Sequence, residues 1–185
     1  MPRKAILSVC GRDFKLLEFN VSLVQKINNQ GKPASGVYLG DFYFLMPGGN
    51  DVFFDWLSDP ERMESGIVKV YYNKAQSPFV EYSFVKGFVT TILENYYEND
   101  QADNSFNRVS TSEDLSENFE FWTNVVSLNK QATGDSATAH ALSNSVGKTR
   151  QFQQRTGIAH VLMVTMSCEQ ITIRNLMHDN MWTQR

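Results

Sequence analysis

Histidine is the first residue type to test for chemistry, because an imidazole oriented by a carboxylate can act as a general base. His178 and Asp179 are adjacent near the end of the chain and precede Asn180. Adjacent side chains rarely face each other, and no serine or cysteine beside them has the features of an activated nucleophile. The pattern favours a polar tail anchored by Trp182 over a catalytic pair.

Metal binding is a second possibility, and the spacing of its candidate ligands argues against it. None of the three histidines has a glutamate or a second histidine at a spacing typical of zinc ligands. One acidic group at helical spacing has four members: Glu113, Asp114, Glu117 and Glu120. Such a group is more typical of a solvated helix face than of a metal or acid–base site. No metal site is predicted.

Nucleotide and thiol chemistry are not indicated either. The Gly-Lys-Thr tripeptide at 147–149 resembles the end of a phosphate-binding loop, but the first glycine of such a loop would fall on Leu142. Cys10 and Cys168 each lie in a strand-like run with no second thiol at metal spacing, which indicates two buried, reduced thiols. We therefore predict a protein that is not an enzyme and has no cofactor.

Composition and charge narrow the class of protein further. The 185 residues are 42% hydrophobic, enough for the core of one domain. A net charge of −3 without a basic patch predicts no nucleic-acid partner. No apolar run approaches the ~20 residues that span a bilayer, and the first residues lead into an alternating strand pattern. We expect a cytoplasmic protein without membrane insertion, exported, if at all, without a cleaved signal peptide.

Alternation of apolar and polar residues is the dominant signal of secondary structure. Six runs read as strands: 5–10, 15–26, 37–46, 66–72, 79–93 and 158–173. The run from Val37 to Met46 is apolar on both faces. We therefore expect core on one side of that strand, and a helix or a neighbouring subunit on the other.

One short helix and one long polar segment interrupt these strands. Asn50 and Asp51 can cap a helix of about ten residues that Pro60 ends. The segment 96–157 is rich in Asn, Ser, Thr and Gln. We predict a single, mainly β domain over residues 1–185, a small barrel or two-sheet sandwich, with 96–157 as an insertion.

Helical patterns within the segment 96–157 predict that this insertion is partly helical. Apolar residues recur at helical spacing from Leu115 to Val126, after a sequence that resembles a capping box. A second, alanine-rich helix is expected after Asp135.

Two distant segments carry a resemblance to a known family. One reads GKPASGVY at 31–38, between two strand-like runs, and the other comprises CEQITI at 168–173 with HDNMW at 178–182. With the run at 15–26, they resemble the tube protein of type VI secretion systems, the Hcp proteins, and within these the TssD branch. The resemblance covers roughly residues 3–95 and 158–182 and leaves the segment 96–157 unmatched.

The resemblance implies a fold and a structural function. Members of the family have a β-barrel-like pair of sheets with one flanking helix, form hexameric rings, and stack these into a tube inside a contractile sheath. The tube carries effectors in its lumen and is fired outward with a spike protein. This implies a cofactor-free tube subunit that reaches the extracellular space or a target cell. Its ring or stacking contacts would include Lys32, Pro33, Ser35, Tyr38 and Trp182.

The segment 96–157 leaves two alternatives open. The chain could be a specialised tube subunit whose insertion is a payload or an effector-binding extension, although the segment is short for an enzyme. A soluble β-barrel that binds a small ligand is the third hypothesis, since fold alone does not determine function.

Overall fold

The computed structural model describes residues 3–72, 77–97 and 136–180. These residues contain eight strands: β1 (Arg3–Val9), β2 (Arg12–Leu16), β3 (Glu18–Ile27), β4 (Pro33–Pro47), β5 (Glu64–Tyr72), β6 (Val80–Tyr96), β7 (His160–Ile173) and β8 (Leu176–Asp179). They contain two helices: α1 (Val52–Ser58) and α2 (Ser136–Thr156). The predicted mainly β fold class is confirmed.

All eight strands belong to one antiparallel sheet, ordered β2-β1-β5-β6-β7-β4-β3, with β8 paired to β7. In the described part of the chain the sheet is not closed by a ladder between β2 and β3. These end strands are nevertheless consecutive in sequence, because only Leu17 separates them, and its N–H donates to Leu45 O at 2.8 Å. The single strand predicted at 15–26 therefore bends at Leu17. Its first residues belong to β2, at one end of the strand order, and the others belong to β3, at the other end.

The chain divides into two compact units, Met1–Glu94 with Leu162–Arg185, and Asn95–Val161. The core of the first unit is built from aromatic rings. Phe42 packs against Phe44 and Phe84 with ring centroids 5.0 and 5.6 Å apart, both edge to face. The ring centroids of Phe53 in α1 and Phe14 in β2 are 4.9 Å apart. Edge-to-face pairs add to the free energy gained from burial alone, and they make this core specific in geometry.

The helix α1 is shorter than the predicted ten residues. The side chain of Asn50 caps the start of the helix, because its Oδ1 accepts the Val52 N–H at 3.0 Å. The side chain of Asp51 makes no capping hydrogen bond. It ends at Ser58 because Asp59 is extended (φ −106°, ψ 101°), as a residue before proline prefers. Trp56 is buried and its Nε1–H donates to Arg62 O at 3.0 Å.

In the second unit, Asn95–Val161, helix α2 is fixed by one buried amide. Gln153 is 1% exposed, and its Nε2 donates to Asn95 O at 3.2 Å and Ala159 O at 2.7 Å. The Asn95 Nδ2 donates back to Gln153 Oε1 at 3.0 Å. The helix ends at Gly157, which has φ of 71° and donates to Gln153 O.

Helix α2 confirms the alanine-rich helix that we expected after Asp135. The helix expected from Leu115 to Val126 lies outside the described residues. That the segment 96–157 is an insertion in a single domain stays a prediction.

Candidate functional site

The end of the β3–β4 hairpin, residues 23–38, exposes an unusual share of apolar side chains, and we call it the hairpin arm. Its exposed apolar residues are Leu23, Val24, Ile27, Val37 and Tyr38. Ile27 is 69% exposed and Tyr38 is 53% exposed, whereas Phe42 to Met46 in the same strand are buried. Val24 pairs with Tyr38 on one face of the hairpin, whereas Leu23 and Val37 lie on the other face. Exposed apolar side chains concentrated in one segment often mark an interaction site.

The hairpin arm is held in shape at a break in its ladder. The register shifts between Gln25 and Ile27, which leaves the Lys26 N–H without a regular strand partner. The Ser35 Oγ accepts this N–H at 2.8 Å and donates to Gly36 O at 2.8 Å. The Gln25 Nε2 also donates to Ser35 O, at 3.0 Å. The Ser35 side chain therefore supplies the hydrogen-bond acceptor that the backbone lacks at the bulge.

Asn28 organises the loop at the tip of the hairpin arm. Its Oδ1 accepts the N–H groups of Gln30 and Lys32, both at 2.9 Å. The Asn28 N–H donates to Lys32 O at 2.8 Å, and Gly31 adopts φ of 77° between them. An asparagine that bonds the backbone two residues ahead is an Asx turn. The tip is thus preorganised and carries the exposed Lys32.

Four of the five predicted contact residues lie together on the hairpin arm: Lys32, Pro33, Ser35 and Tyr38. Trp182 lies outside the described residues. Their role as ring or stacking contacts stays a prediction.

The loop 27–36 was expected near a subunit contact from the family resemblance, but Val24 was not among the expected contacts. Val24 is exposed and apolar, and it falls out of phase with the alternating residues that indicate the strand. Asn28 was assigned to a polar loop, although an asparagine shortly before a glycine is a recognisable turn signal.

The predicted polar tail is anchored by an amide. The Asn180 Nδ2 donates to Cys168 O at 2.6 Å, and its Oδ1 accepts the Leu39 N–H at 3.2 Å. The His178 Nε2 lies 2.9 Å from the same Oδ1. Asp179 instead accepts from Gln170 Nε2 at 3.0 Å. The imidazole and the neighbouring carboxylate therefore have separate partners.

The two thiols have raised pKa values. Burial raises the pKa of the Cys168 thiol to about 12. Burial, and then the nearby Glu64 carboxylate, raise the pKa of Cys10, which is only half-buried and not fully buried as expected. Because the thiolate is the nucleophile, both are weak nucleophiles at neutral pH. No group of three metal-ligating side chains occurs in the ranges 3–72, 77–97 and 136–180.

None of the described helices is long and apolar enough to cross a bilayer.

A family model described as hemolysin coregulated protein Hcp (TssD) matches residues 1–119, which is well over half of the 185-residue chain. The chain belongs to the TssD family. It is thus an Hcp-like protein of the type VI secretion tube, and the resemblance drawn from its sequence is confirmed. The expectation that the segment 96–157 is wholly unmatched was wrong, because the match continues to residue 119. No curated protein matches the sequence.

Solved Hcp structures share the fold of this TssD chain. Hcp1 from Flavobacterium johnsoniae is 14% identical and superposes with a TM-score of 0.60, covering 96% of this chain and 99% of that chain. Hcp1 from Salmonella typhimurium is 8% identical with a TM-score of 0.52, covering 92% and 85%. A structure titled as a type six secretion system protein is 7% identical with a TM-score of 0.54, covering 93% and 83%. At these identities the likeness concerns the fold alone.

Proposed function

We propose that this TssD chain is a structural tube subunit that assembles into hexameric rings, which stack into the inner tube of a type VI secretion system and carry effectors in the lumen. The observation that carries the proposal is the hairpin arm, a preorganised hairpin that exposes Val24, Ile27 and Tyr38 in a chain of a tube family. In a tube, another subunit would cover this surface.

Repetition supplies the free energy for assembly. Burying apolar surface contributes roughly 25 cal/mol per Å², so one arm gives a modest contact, and a closed ring repeats that contact in every subunit. The only charged residues on the hairpin arm are Lys26 and Lys32. The surface that receives the arm is therefore apolar or acidic. Lys32, Pro33, Ser35, Tyr38 and Trp182 are the proposed contact residues.

The wider machine supplies the remaining partners that we propose. These are the spike protein at the tip of the tube, the contractile sheath around it, and effectors within its lumen. The subunit folds in the cytoplasm and leaves through the contraction itself, so a cleaved signal peptide is unnecessary.

The proposal is tested by light scattering on the purified chain and by negative-stain imaging of the same sample. We expect six-fold rings. Replacing the 69% exposed Ile27 with aspartate (Ile27→Asp) should weaken assembly at least tenfold, since it places a charge in an apolar contact. Ile27→Leu is the matched control and should assemble as the parent does. Circular dichroism confirms that both variants fold.

Two outcomes would contradict parts of the proposal. A monomer at high concentration would overturn the tube assignment. Rings of Ile27→Asp as stable as those of the parent would exclude the hairpin arm from the interface.

A payload or effector-binding extension is the second candidate function, and the compactness of the unit Asn95–Val161 favours it. Replacing 99–157 with a short flexible linker tests it. Rings that persist and lose an effector support an extension, whereas loss of assembly assigns the segment to the subunit interface.

A further inference from the structure

A small cavity opens at one end of the sheet in the unit Met1–Glu94 with Leu162–Arg185. Its volume is about 210 Å³, and its lining comes from β3, β5, β6 with the preceding Phe79, and the turn between β7 and β8. Phe79 and Tyr72 at its rim are 69% and 42% exposed, so the cavity is accessible from solvent. The hairpin arm, with the four described contact residues, does not line it.

Two aromatic pairs form the walls of the cavity. The rings of Phe19 and Tyr82 meet edge to face with centroids 5.2 Å apart. The rings of Tyr72 and Phe79 lie 6.2 Å apart at 47°. A cavity of about 150 Å³ lined by apolar side chains holds one benzene molecule. The present cavity therefore has room for one aromatic ring and one small polar group.

Among the described residues, Arg174 is the only charged residue in the lining. Its side chain is exposed, and no carboxylate of the described residues forms an ion pair with it. Glu81 approaches through its backbone, since its carbonyl accepts the Arg174 N–H at 3.2 Å. The Glu81 side chain is on the opposite face of β6 from Val80 and Tyr82, which line the cavity.

The backbone of Arg174 is set by the turn between β7 and β8. Its φ of 58° is that of the first residue of a two-residue turn between the paired residues Ile173 and Leu176. This turn holds the exposed Arg174 side chain at the rim of the cavity. A guanidinium with its donors free is suited to a carboxylate, which it can bind through two parallel hydrogen bonds.

We propose that this cavity binds an aromatic carboxylate, with the ring between the two aromatic pairs and the carboxylate on the Arg174 guanidinium. The ligand is either a free aromatic acid or the last residue of a peptide with an aromatic side chain, because both present the same two groups. The proposal goes beyond assembly and does not depend on it.

The test uses ligand-detected saturation-transfer NMR on the full chain, which works for a monomer and for a ring. The probes are N-acetyl-L-phenylalanine and its uncharged amide. We expect the acid to bind with a dissociation constant on the order of 1 mM, given its size. The amide should bind about tenfold more weakly, because it lacks the charge-assisted hydrogen bonds.

Two variants locate the site. Arg174→Gln keeps a long side chain on the same turn and should weaken binding of the acid about tenfold, with no effect on the amide. Arg12→Gln is the matched control. Arg12 is also exposed beside a two-residue turn, but it pairs with Val9, whereas the cavity lies at the Arg3–Tyr72 end of β1. This separation is roughly 20 Å, so Arg12→Gln should bind like the parent.

Three results would overturn the proposal: equal binding of the acid and the amide, unchanged binding by Arg174→Gln, or no binding of the acid at about 10 mM, well above the expected constant. Phe79→Ala, at an exposed rim position, should weaken both probes, and a lack of effect would place their binding elsewhere. Gly-Gly-Phe and its amide then distinguish the sources. Tighter binding of the tripeptide acid than of N-acetylphenylalanine supports a peptide terminus, and weaker binding supports a free acid.

Discussion

The turn between β1 and β2 places an ordinary side chain in a conformation that it adopts at a cost. Cys10 has φ of 53° and Gly11 has φ of 69°, between the paired residues Val9 and Arg12. Positive φ at both central residues is the pattern of a type I′ turn, in which asparagine followed by glycine is preferred. The left-handed conformation costs most L-residues about 1–2 kcal/mol, and Cys10 therefore lowers the stability of the chain.

We expect Cys10→Asn to raise the free energy of unfolding by about 0.5–1 kcal/mol, because asparagine tolerates this conformation. Urea unfolding of the parent and the variant measures the difference. Cys10→Ser is the control, since it removes the same thiol without the preference of asparagine. An asparagine variant no more stable than the serine variant would contradict the argument.

The Cys168 thiol makes stability depend on alkaline pH. Burial raises its pKa from 9.0 to about 12 in the folded chain. Above pH 9 the unfolded chain therefore loses this proton first, and the folded state holds more protons. Stability contributed by the buried thiol is complete below pH 9 and is lost as the pH rises towards 12.

Cys168→Ala should accordingly show a shallower fall in the free energy of unfolding between about pH 9 and pH 10.5 than the parent shows. The comparison uses the slopes, because removing the side chain also leaves a cavity that lowers stability at every pH. Parallel slopes would contradict the raised pKa.

At the scale of the elements, Asn180 joins strands that are remote in sequence. Its amide bonds Cys168 of β7 and Leu39 of β4. Asn180→Ala should lower the free energy of unfolding by about 2 kcal/mol, because it leaves the Leu39 N–H and the Cys168 carbonyl without this partner.

Gln170→Ala is the control for Asn180→Ala. It removes an exposed bond to Asp179 in the same β7–β8 hairpin and should cost less than about 0.5 kcal/mol. Chemical denaturation measures both variants. Equal losses would show that Asn180 acts only as a surface residue.

The stability of helix α2 depends on the buried amide of Gln153, which bonds the backbone of Asn95 and Ala159. Gln153→Leu keeps the bulk of the side chain but removes the donor to the carbonyls of Asn95 and Ala159. The Ala159 carbonyl retains the Tyr97 N–H, so we expect a loss of about 2 kcal/mol. Hydrogen exchange at the amides of α2 should accelerate.

The exposed neighbour provides a matched control for Gln153→Leu. Gln154→Leu makes the same chemical change on the solvent side of α2, and exchange there should stay within about twofold of the parent. Similar acceleration in both variants would contradict the role of the buried amide.

The strands were predictable to the extent that their apolar residues alternate. That pattern located β1, β4, β5, β6 and β7, but it joined the end of β2 to β3, because the change of phase at the consecutive residues Leu16 and Leu17 was not read as a bend. The four-residue strand β8 was missed, since its pairing depends on the turn at Arg174. The contact residues were inferred from the family resemblance. The role of Asn180 could not be inferred from the sequence, because its partners Leu39 and Cys168 come close to it only in the folded sheet.

For the whole molecule, the apolar character of the hairpin arm predicts how assembly responds to conditions. Hydrophobic association weakens on cooling, so the concentration for half-assembly should be higher at 5 °C than at 25 °C. The net charge is −3 and the hairpin arm carries only two charged residues, both lysines. The concentration for half-assembly should therefore change less than about threefold between 0.05 and 0.5 M NaCl.

Light scattering against concentration, at two temperatures and two salt concentrations, measures both effects on assembly. Strong dissociation by salt would instead assign the contact to ion pairs. An unchanged midpoint on cooling would contradict apolar burial as the main source of free energy.

The position of β7 between β6 and β4 has a consequence for synthesis of the chain. A ribosome completes β4 and β6 long before it reaches the end of β7 at Ile173. At 5–20 residues per second, the interval is on the order of 10 s. During it, the edges of both strands lack their final neighbour and are open to other nascent chains. We therefore expect these two strand edges to be the sites at which nascent chains misassociate until residues 160–173 of β7 emerge.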